Sequence, residues 1–262
     1  RQAESGDKGV CYMKIIISPA KKMNIETDVL ECRGFPVFME KTKVLMEYMK
    51  ELDYEAAKKM WGCSDKLARE NFQRLSHMNL YKTPTPALLA YEGIQYQYMA
   101  PGVFEDRQWE FVQEHLRILS GFYGVVKPLD GVVPYRLEMQ AKINLASCKD
   151  LYTYWGSDIY EKISGNSRWI LNLASKEYSK CVEKFLKQGD RYITCTFGEW
   201  KNGKIIQKGT LAKMARGEMV RFLAGEEISE PEGVKEFRGL GFSYKKEFST
   251  EENYVFLKEE EK

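Results

Sequence analysis

The chain has 262 residues, 44% of them hydrophobic and 30% charged, an ordinary globular balance that excludes collagen-like, disordered and membrane-embedded classes. Its 40 Lys and Arg against 38 Asp and Glu leave a net charge of +2, so the total neither demands nor excludes a polyanionic partner and the distribution of charge carries the information. No apolar run approaches the roughly 18 residues of a membrane-spanning helix, and six isolated cysteines (Cys11, Cys32, Cys63, Cys148, Cys181, Cys195) with only His77 and His115 as imidazoles point to a reducing cytosol without a zinc site, disulfide framework or cofactor.

Residues 1–12 (RQAESGDKGVCY) lack the basic and apolar regions of a secretory signal and are set aside as a foreign or upstream leader, leaving one domain over 13–262. Residues 14–17 form a β-branched strand that runs into a Ser-Pro turn. Residues 37–75 carry apolar side chains at helical spacing (Val44, Leu45, Met49, Leu52) and divide into three helices, the second over 54–60 and the third beginning after Ser64, whose hydroxyl is suited to cap it. Thr83-Pro84-Thr85-Pro86 breaks the pattern before a further helix, and 109–119 reads as one more. From Ser120 the chain turns rich in Gly, Pro and Tyr, with turn chemistry at 128–131. Residues 169–173 read as a buried strand leading into a helix at Ser175. Asn202-Gly203 between 192–200 and 204–207 is a type I′ hairpin signal; a helix over 210–224 separates it from a second hairpin, 242–248 with 254–257. Helices and strands interleave irregularly without internal repeats, so the expected fold is α+β: a mixed β-sheet surrounded by helices, with a helix-hairpin-helix-like element.

Three constellations carry chemistry. The segment 201–223 holds Lys201, Lys204, Lys208, Lys213, Arg216 and Arg221 against one acid, Glu218, while 224–262 holds eleven Glu against six Lys and Arg; the near-neutral total conceals a polarised chain. Lys213, Arg216 and Arg221 share one broad side of the 210–224 helix, with Gly217 among them admitting close approach of a backbone or a ligand. The basic stretch reads either as a solvated face or as a phosphate-contacting ridge. The second constellation, Trp61-Gly62-Cys63-Ser64-Asp65-Lys66 with Arg69, resembles a helix-hairpin-helix, in which the turn and the helix N-terminus hold a phosphate without reading bases; an ordinary αα-corner is the alternative. In the third, an extended 133–139 puts Arg136 and Glu138 on one face and Tyr135, Leu137 and Met139 on the other, beside the turn 120–124. Ser18 and Lys21, and Asn172 and Ser175, follow strands, where α/β sheets commonly form their sites. No GxSxG, Walker or HExxH motif is present.

The blocks ISPAK (17–21), SDKLA (64–68), LRILSGFYGVVKPLDGVVPYRLEM (116–139), LYTYWG (151–156), NLAS with Glu177 and Tyr178 (172–178) and KGT-AKMARGEMVRF (208–222) closely resemble, in order along the chain, the YaaA peroxide-stress-resistance family. The resemblance implies a cytoplasmic bacterial protein that limits oxidative damage where hydrogen peroxide meets intracellular iron. It also implies DNA binding by an unusual α/β fold with a helix-hairpin-helix element and a positively charged cleft.

The expected function is therefore DNA binding through phosphate contacts, without sequence specificity, by Gly62, Ser64, Lys66, Arg69, Lys208, Lys213, Arg216 and Arg221. A monomer is assumed. The alternative is an enzyme acting on a nucleotide or on a base in DNA at a polar pocket of Ser18, Lys21, Tyr123, Arg136, Glu138, Asn172, Ser175 and Tyr178. Lys21, Arg136 and Glu138 are its candidates for nucleophile or acid–base group. Convergence of Lys21, Arg136, Glu138 and Arg216 on one pocket favours the enzyme, and a basic groove without a pocket favours binding alone.

Overall fold

The computed structural model describes residues 12–25, 30–165 and 167–259; apart from Tyr12, the leader lies outside them, with Cys11. The main sheet has eight strands among these residues: β1 (Tyr12–Ile17), β2 (Leu116–Ser120), β3 (Gly124–Val126), β4 (Ser167–Leu173), β5 (Arg191–Lys201), β6 (Lys204–Ile206), β7 (Phe242–Tyr244) and β8 (Asn253–Lys258). Across the sheet they lie β7-β8-β5-β4-β1-β2-β3, with β6 paired to β5. The strands β2, β1, β4, β5 and β8 run parallel, and β3, β6 and β7 are antiparallel additions. The fold is thus the expected mixed sheet with helices around it.

β1 lies between β4 and β2, which explains its composition. A parallel strand covered on both faces needs a continuous apolar run rather than alternation, and Ile15, Ile16 and Ile17 have no exposed surface. Its neighbours set the site: chain order leads from β1 to β2 on one side and to β4, β5 and β8 on the other. In parallel sheets the crevice where the order reverses, at the carboxyl ends of the strands, is where ligands bind. Here it opens between the ends of β1 and β4.

The structure corrects the helix read over 109–119. Helix α5 in the series below occupies Asp106–His115, and Leu116–Ser120 is strand β2, wholly buried and parallel to β1 with Ile15 opposite Leu116. A segment this short, LRILS, is too brief for its period to separate helix from strand; pairing with β1 decides. The β5–β6 hairpin forms with both Asn202 (φ 51°) and Gly203 (φ 77°) left-handed, as a type I′ turn requires. β7 and β8 pair antiparallel as read, but β7 ends at Tyr244 and Lys246–Phe248, expected in the strand, forms a 3-10 turn.

The helices used below are α1 (Met39–Glu51), α2 (Tyr54–Trp61), α3 (Asp65–Ser76), α4 (Ile94–Met99), α5 (Asp106–His115), α6 (Lys176–Glu183) and α7 (Gly209–Gly225). α2 begins on Asp53, whose carboxylate accepts from Ala56 N–H at 2.8 Å, and ends on a left-handed Gly62 (φ 55°). Ser64 starts α3, but its hydroxyl makes no capping bond, contrary to expectation. His115 is structural: its Nδ1 donates to the Met13 carbonyl at 2.8 Å. Among the described residues no helix is long and apolar enough to cross a membrane, and no three His, Cys, Asp or Glu side chains gather as metal ligands.

α7 lies against α4 so closely that a Cβ on Gly217 would sit 2.0 Å from the Gln95 carbonyl oxygen and 3.0 Å from Met99 N. The close approach anticipated at Gly217 is therefore made by backbone. Ala at this position gains about 1 kcal/mol of helix propensity over Gly, whereas overpacking costs about 1–3 kcal/mol and more where backbone must yield. Gly217→Ala is expected to destabilise the protein by about 2 kcal/mol, read as a lower urea midpoint at unchanged slope. A raised midpoint would mean the two helices are not held in this contact.

Candidate functional site

The carboxyl ends of β1 and β4 are clipped together by two serines. Ser18 Oγ accepts from the Ser175 N–H at 2.8 Å and lies 3.1 Å from Ser175 Oγ, and the Tyr96 hydroxyl donates to the Ser18 carbonyl at 2.9 Å. Above this clip is a cavity of about 410 Å³, within the size of small-molecule sites, roughly 300–1,000 Å³.

One wall comes from the segment 133–139. It is extended without belonging to a sheet, and its burial alternates: Tyr135, Leu137 and Met139 are buried, while Arg136 and Glu138 are half-buried and line the cavity. The segment rests on the turn after β2, where a Cβ on Gly121 would come within 2.6 Å of the Leu137 carbonyl. Beneath it, Ser120 Oγ and the Tyr135 hydroxyl share a 2.6 Å hydrogen bond, and Tyr135 a 2.9 Å one with Tyr91. Burial pushes the Tyr135 phenol up to about 12, so it stays protonated. Facing the cavity, Glu138 is gripped from both sides: Arg136 Nη2 donates to Oε1 and Lys21 Nζ pairs with Oε2, each at 2.9 Å.

The opposite wall is α7. Lys213 and Arg216, one turn apart, line the cavity. Among the described residues Arg216 has no carboxylate partner; its Nε is buried without a hydrogen bond, and burial lowers its pKa. Two further lining groups share this condition: Arg136 Nε and Gln95 Nε2 are buried donors without acceptors. Leaving such donors unmet costs about 1–3 kcal/mol each, more for charged groups. These donor atoms belong to side chains that line the cavity but have almost no accessible surface themselves.

Of the eight residues expected in a pocket, Ser18, Lys21, Arg136, Glu138, Ser175 and Tyr178 line this cavity. Tyr123 does not: it is fully buried, its hydroxyl accepting from Val133 N–H at 3.1 Å. Asn172 instead shapes the end of β4, accepting from Ala174 N–H at 2.9 Å and donating to Thr194 Oγ1 at 3.2 Å.

The expected phosphate-binding set divides. Lys213 and Arg216 join the cavity, and Gly62 lines an adjoining one of about 480 Å³ with Lys59 and Lys142; Lys21 and Glu138 are the wall common to both. Ser64, Lys66, Arg69, Lys208 and Arg221 line neither. Arg69 is tied at 2.8 Å to Asp65, which also accepts from Tyr54 at 2.7 Å and Lys58 at 2.9 Å. These bonds hold the Asp65 carboxyl far below the usual range, so the start of α3 already carries an anion. Lys208 is paired with Glu199 at 2.9 Å, whose carboxyl Lys201 and Lys208 hold down to about 2. The turn between α2 and α3 thus carries its own counter-ion, and Gly62 is the residue it contributes to the adjoining cavity.

Sequence reading did not assign Gln95, Glu177, Lys59 or Lys142 to a site. Glu177 stands two residues past Ser175 in a recognisable block, a signal that could have found it. Gln95 is brought in only by the packing of α4 on α7.

The family model for "Peroxide stress protein YaaA" matches residues 13–248. A UPF0246 protein of Lachnoclostridium phytofermentans is 56% identical over 248 residues, covering 95% of this chain and 97% of that protein. UPF0246 proteins of Agathobacter rectalis (54% identical, 93% and 98% covered) and Desulfitobacterium hafniense (52% identical, 94% and 98% covered) are similar along the same extent. The chain belongs to the peroxide stress protein YaaA family.

The site contains one titration whose sign is readable from structure. Burial raises the Glu177 carboxyl above its ordinary 4.5, opposed by the Gln140 N–H at 3.3 Å and assisted by the charge of Glu138. A carboxyl that binds its proton more tightly when folded favours the native state at low pH, and that advantage is lost as pH rises from the ordinary value through the folded one. Glu177→Gln keeps the acceptor and removes the charge. It is expected to raise the urea midpoint at pH 7, with the gain shrinking toward pH 4; a variant less stable than the parent at pH 7 would show that Glu177 is held by attraction rather than burdened by burial.

Proposed function

We propose that this peroxide-stress protein binds DNA without sequence specificity, as a monomer in the cytoplasm. The phosphate backbone follows the cleft from Gly62, Lys59 and Lys142 toward the ends of β1 and β4, and one nucleotide unit seats in the cavity there. A strand held this way is shielded where peroxide meets iron, which is the role in peroxide resistance that the reading assigns. Lys21, Arg136, Glu138 and Arg216 meet on one cavity at the switch point of the sheet, the arrangement expected of an enzyme; what supports DNA binding is the excess of cations there, with Lys213 and Arg216 lacking a carboxylate partner among the described residues. Cations gathered there serve phosphates, and phosphate contacts position a strand without reading its bases.

The same convergence favours a second reading, in which the seated nucleotide is acted upon. Glu138, fixed between Lys21 and Arg136, and Glu177 beside it are carboxyl groups of different environment in one cavity, the usual basis of acid–base work. Lys21 is a nucleophile candidate once Glu138 has released it.

Affinity for two unrelated duplexes is expected to agree within about threefold and to fall steeply with salt, and Lys213→Ala with Arg216→Ala to lower the salt slope by about 2 and weaken both duplexes alike. Strict sequence dependence, or a slope the double variant leaves unchanged, refutes phosphate binding at this site. Turnover of modified-base DNA or of nucleotides that Glu138→Gln abolishes would make the second reading the function.

A further inference from the structure

The charges around the cavity do not balance, and the imbalance has a size. Five cationic side chains and three carboxylates line it, an excess of two positive charges. Lys22 is paired with Glu92 at 2.6 Å, and Lys21 and Arg136 share Glu138. Glu177 is the remaining carboxylate. The lining cations with no carboxylate partner among the described residues are Lys213 and Arg216, one turn apart on α7, the helix that packs against Gln95.

A guanidinium partly withdrawn from water without a partner is unfavourable until a counter-charge arrives. A phosphodiester brings one negative charge. A phosphate monoester brings about 1.5–2 at neutral pH, with a second pKa of about 6, and three acceptor oxygens. Arginine suits such a group because its planar fork meets two of those oxygens at once.

We propose that the α7 side of the cavity, lined by Arg216 and Lys213 with Gln95 beside them, is a receptor for a phosphate monoester. The inference rests on the DNA-binding reading only for the source of that group: the phosphate terminus of a broken strand, with a free mononucleotide as the other source of the same chemistry. Gly217 is the device that makes the receptor, since its missing side chain lets α7 bring Arg216 up to Gln95. A terminal phosphate enters the cavity end-on while the strand behind it lies along the cleft toward Gly62.

The test compares four forms of one short single-stranded oligonucleotide by fluorescence anisotropy: 5′-phosphate, 3′-phosphate, hydroxyl at both ends, and a 5′-phosphate capped as its methyl diester. Deoxyadenosine 5′-monophosphate and deoxyadenosine are measured alongside by calorimetry. A phosphate-ended strand is expected to bind at least tenfold tighter than the hydroxyl or methyl-capped strand, and the nucleotide to bind where the nucleoside does not. The advantage should shrink below about pH 6 as the second phosphate proton is taken up. Arg216→Gln should reduce it below threefold. So should Lys213→Gln, an exposed change that leaves the fold intact, while Arg221→Gln, outside the cavity on the same helix, should leave it in place.

Salt-dependent DNA binding that ignores the ends, with no nucleotide bound, overturns the monoester receptor and leaves the DNA reading standing. Nucleotide binding without DNA binding upholds the receptor with a free nucleotide as its ligand and removes the DNA reading. Binding of neither overturns both.

Discussion

The site depends on one backbone approach. α7 reaches α4 at Gly217, where the Cβ of any side chain would sit 2.0 Å from the Gln95 carbonyl oxygen, well inside van der Waals contact. That contact fixes how far Lys213 and Arg216 stand from the end of β1, and so whether the cations of 201–223 form part of a cavity or a solvated ridge. Glycine costs helix stability at that position, and the packing it permits offsets the loss.

A second constraint is electrostatic. Most cationic side chains with a defined neighbour in this protein already have a carboxylate: Arg69 has Asp65, Lys208 has Glu199, Lys22 has Glu92. Surface pairs of this kind contribute little to stability, about 0–1 kcal/mol, but they remove candidates for polyanion contact because their charge is locally answered. What remains distinctive is the unanswered charge at the ends of β1 and β4. There a half-buried Arg216 has no acidic partner among the described residues, and Glu138 is shared between two cations. Withdrawal from water makes those interactions stronger than their surface counterparts and makes an empty position costly.

Some of this was legible in advance for definite reasons. The period of two over 133–139 put Arg136 and Glu138 on a common face although no strand forms there, because side chains alternate in any extended chain. Asn202-Gly203 declared its turn because both positions need φ > 0. Ser18 and Ser175 were placed at strand ends by the apolar runs before them. Other readings failed where a local signal was degenerate. Leu116–Ser120 fits a helix or a strand until β1 is alongside. The polar residues Tyr123 and Asn172 were expected in a pocket, yet one completes the core and the other finishes a strand. Ser64 carries the right hydroxyl for a cap, but the ions around Asp65 dominate that corner.

By itself the sequence determined which segments are strands and helices wherever periodicity or turn chemistry was unambiguous, which residues could carry charge or donate protons, and, through its long colinear blocks, the family. Those properties are local: they follow from neighbours within a few residues along the chain. Only the tertiary structure decided which cations would be neutralised and which left open, and that a groove from Gly62 shares a wall with the cavity above Ser18. The pairing of Lys21 with Glu138 and the burial of Arg216 depend on contacts between segments far apart in the chain, and those contacts exist only once β1, β4 and α7 have been brought together.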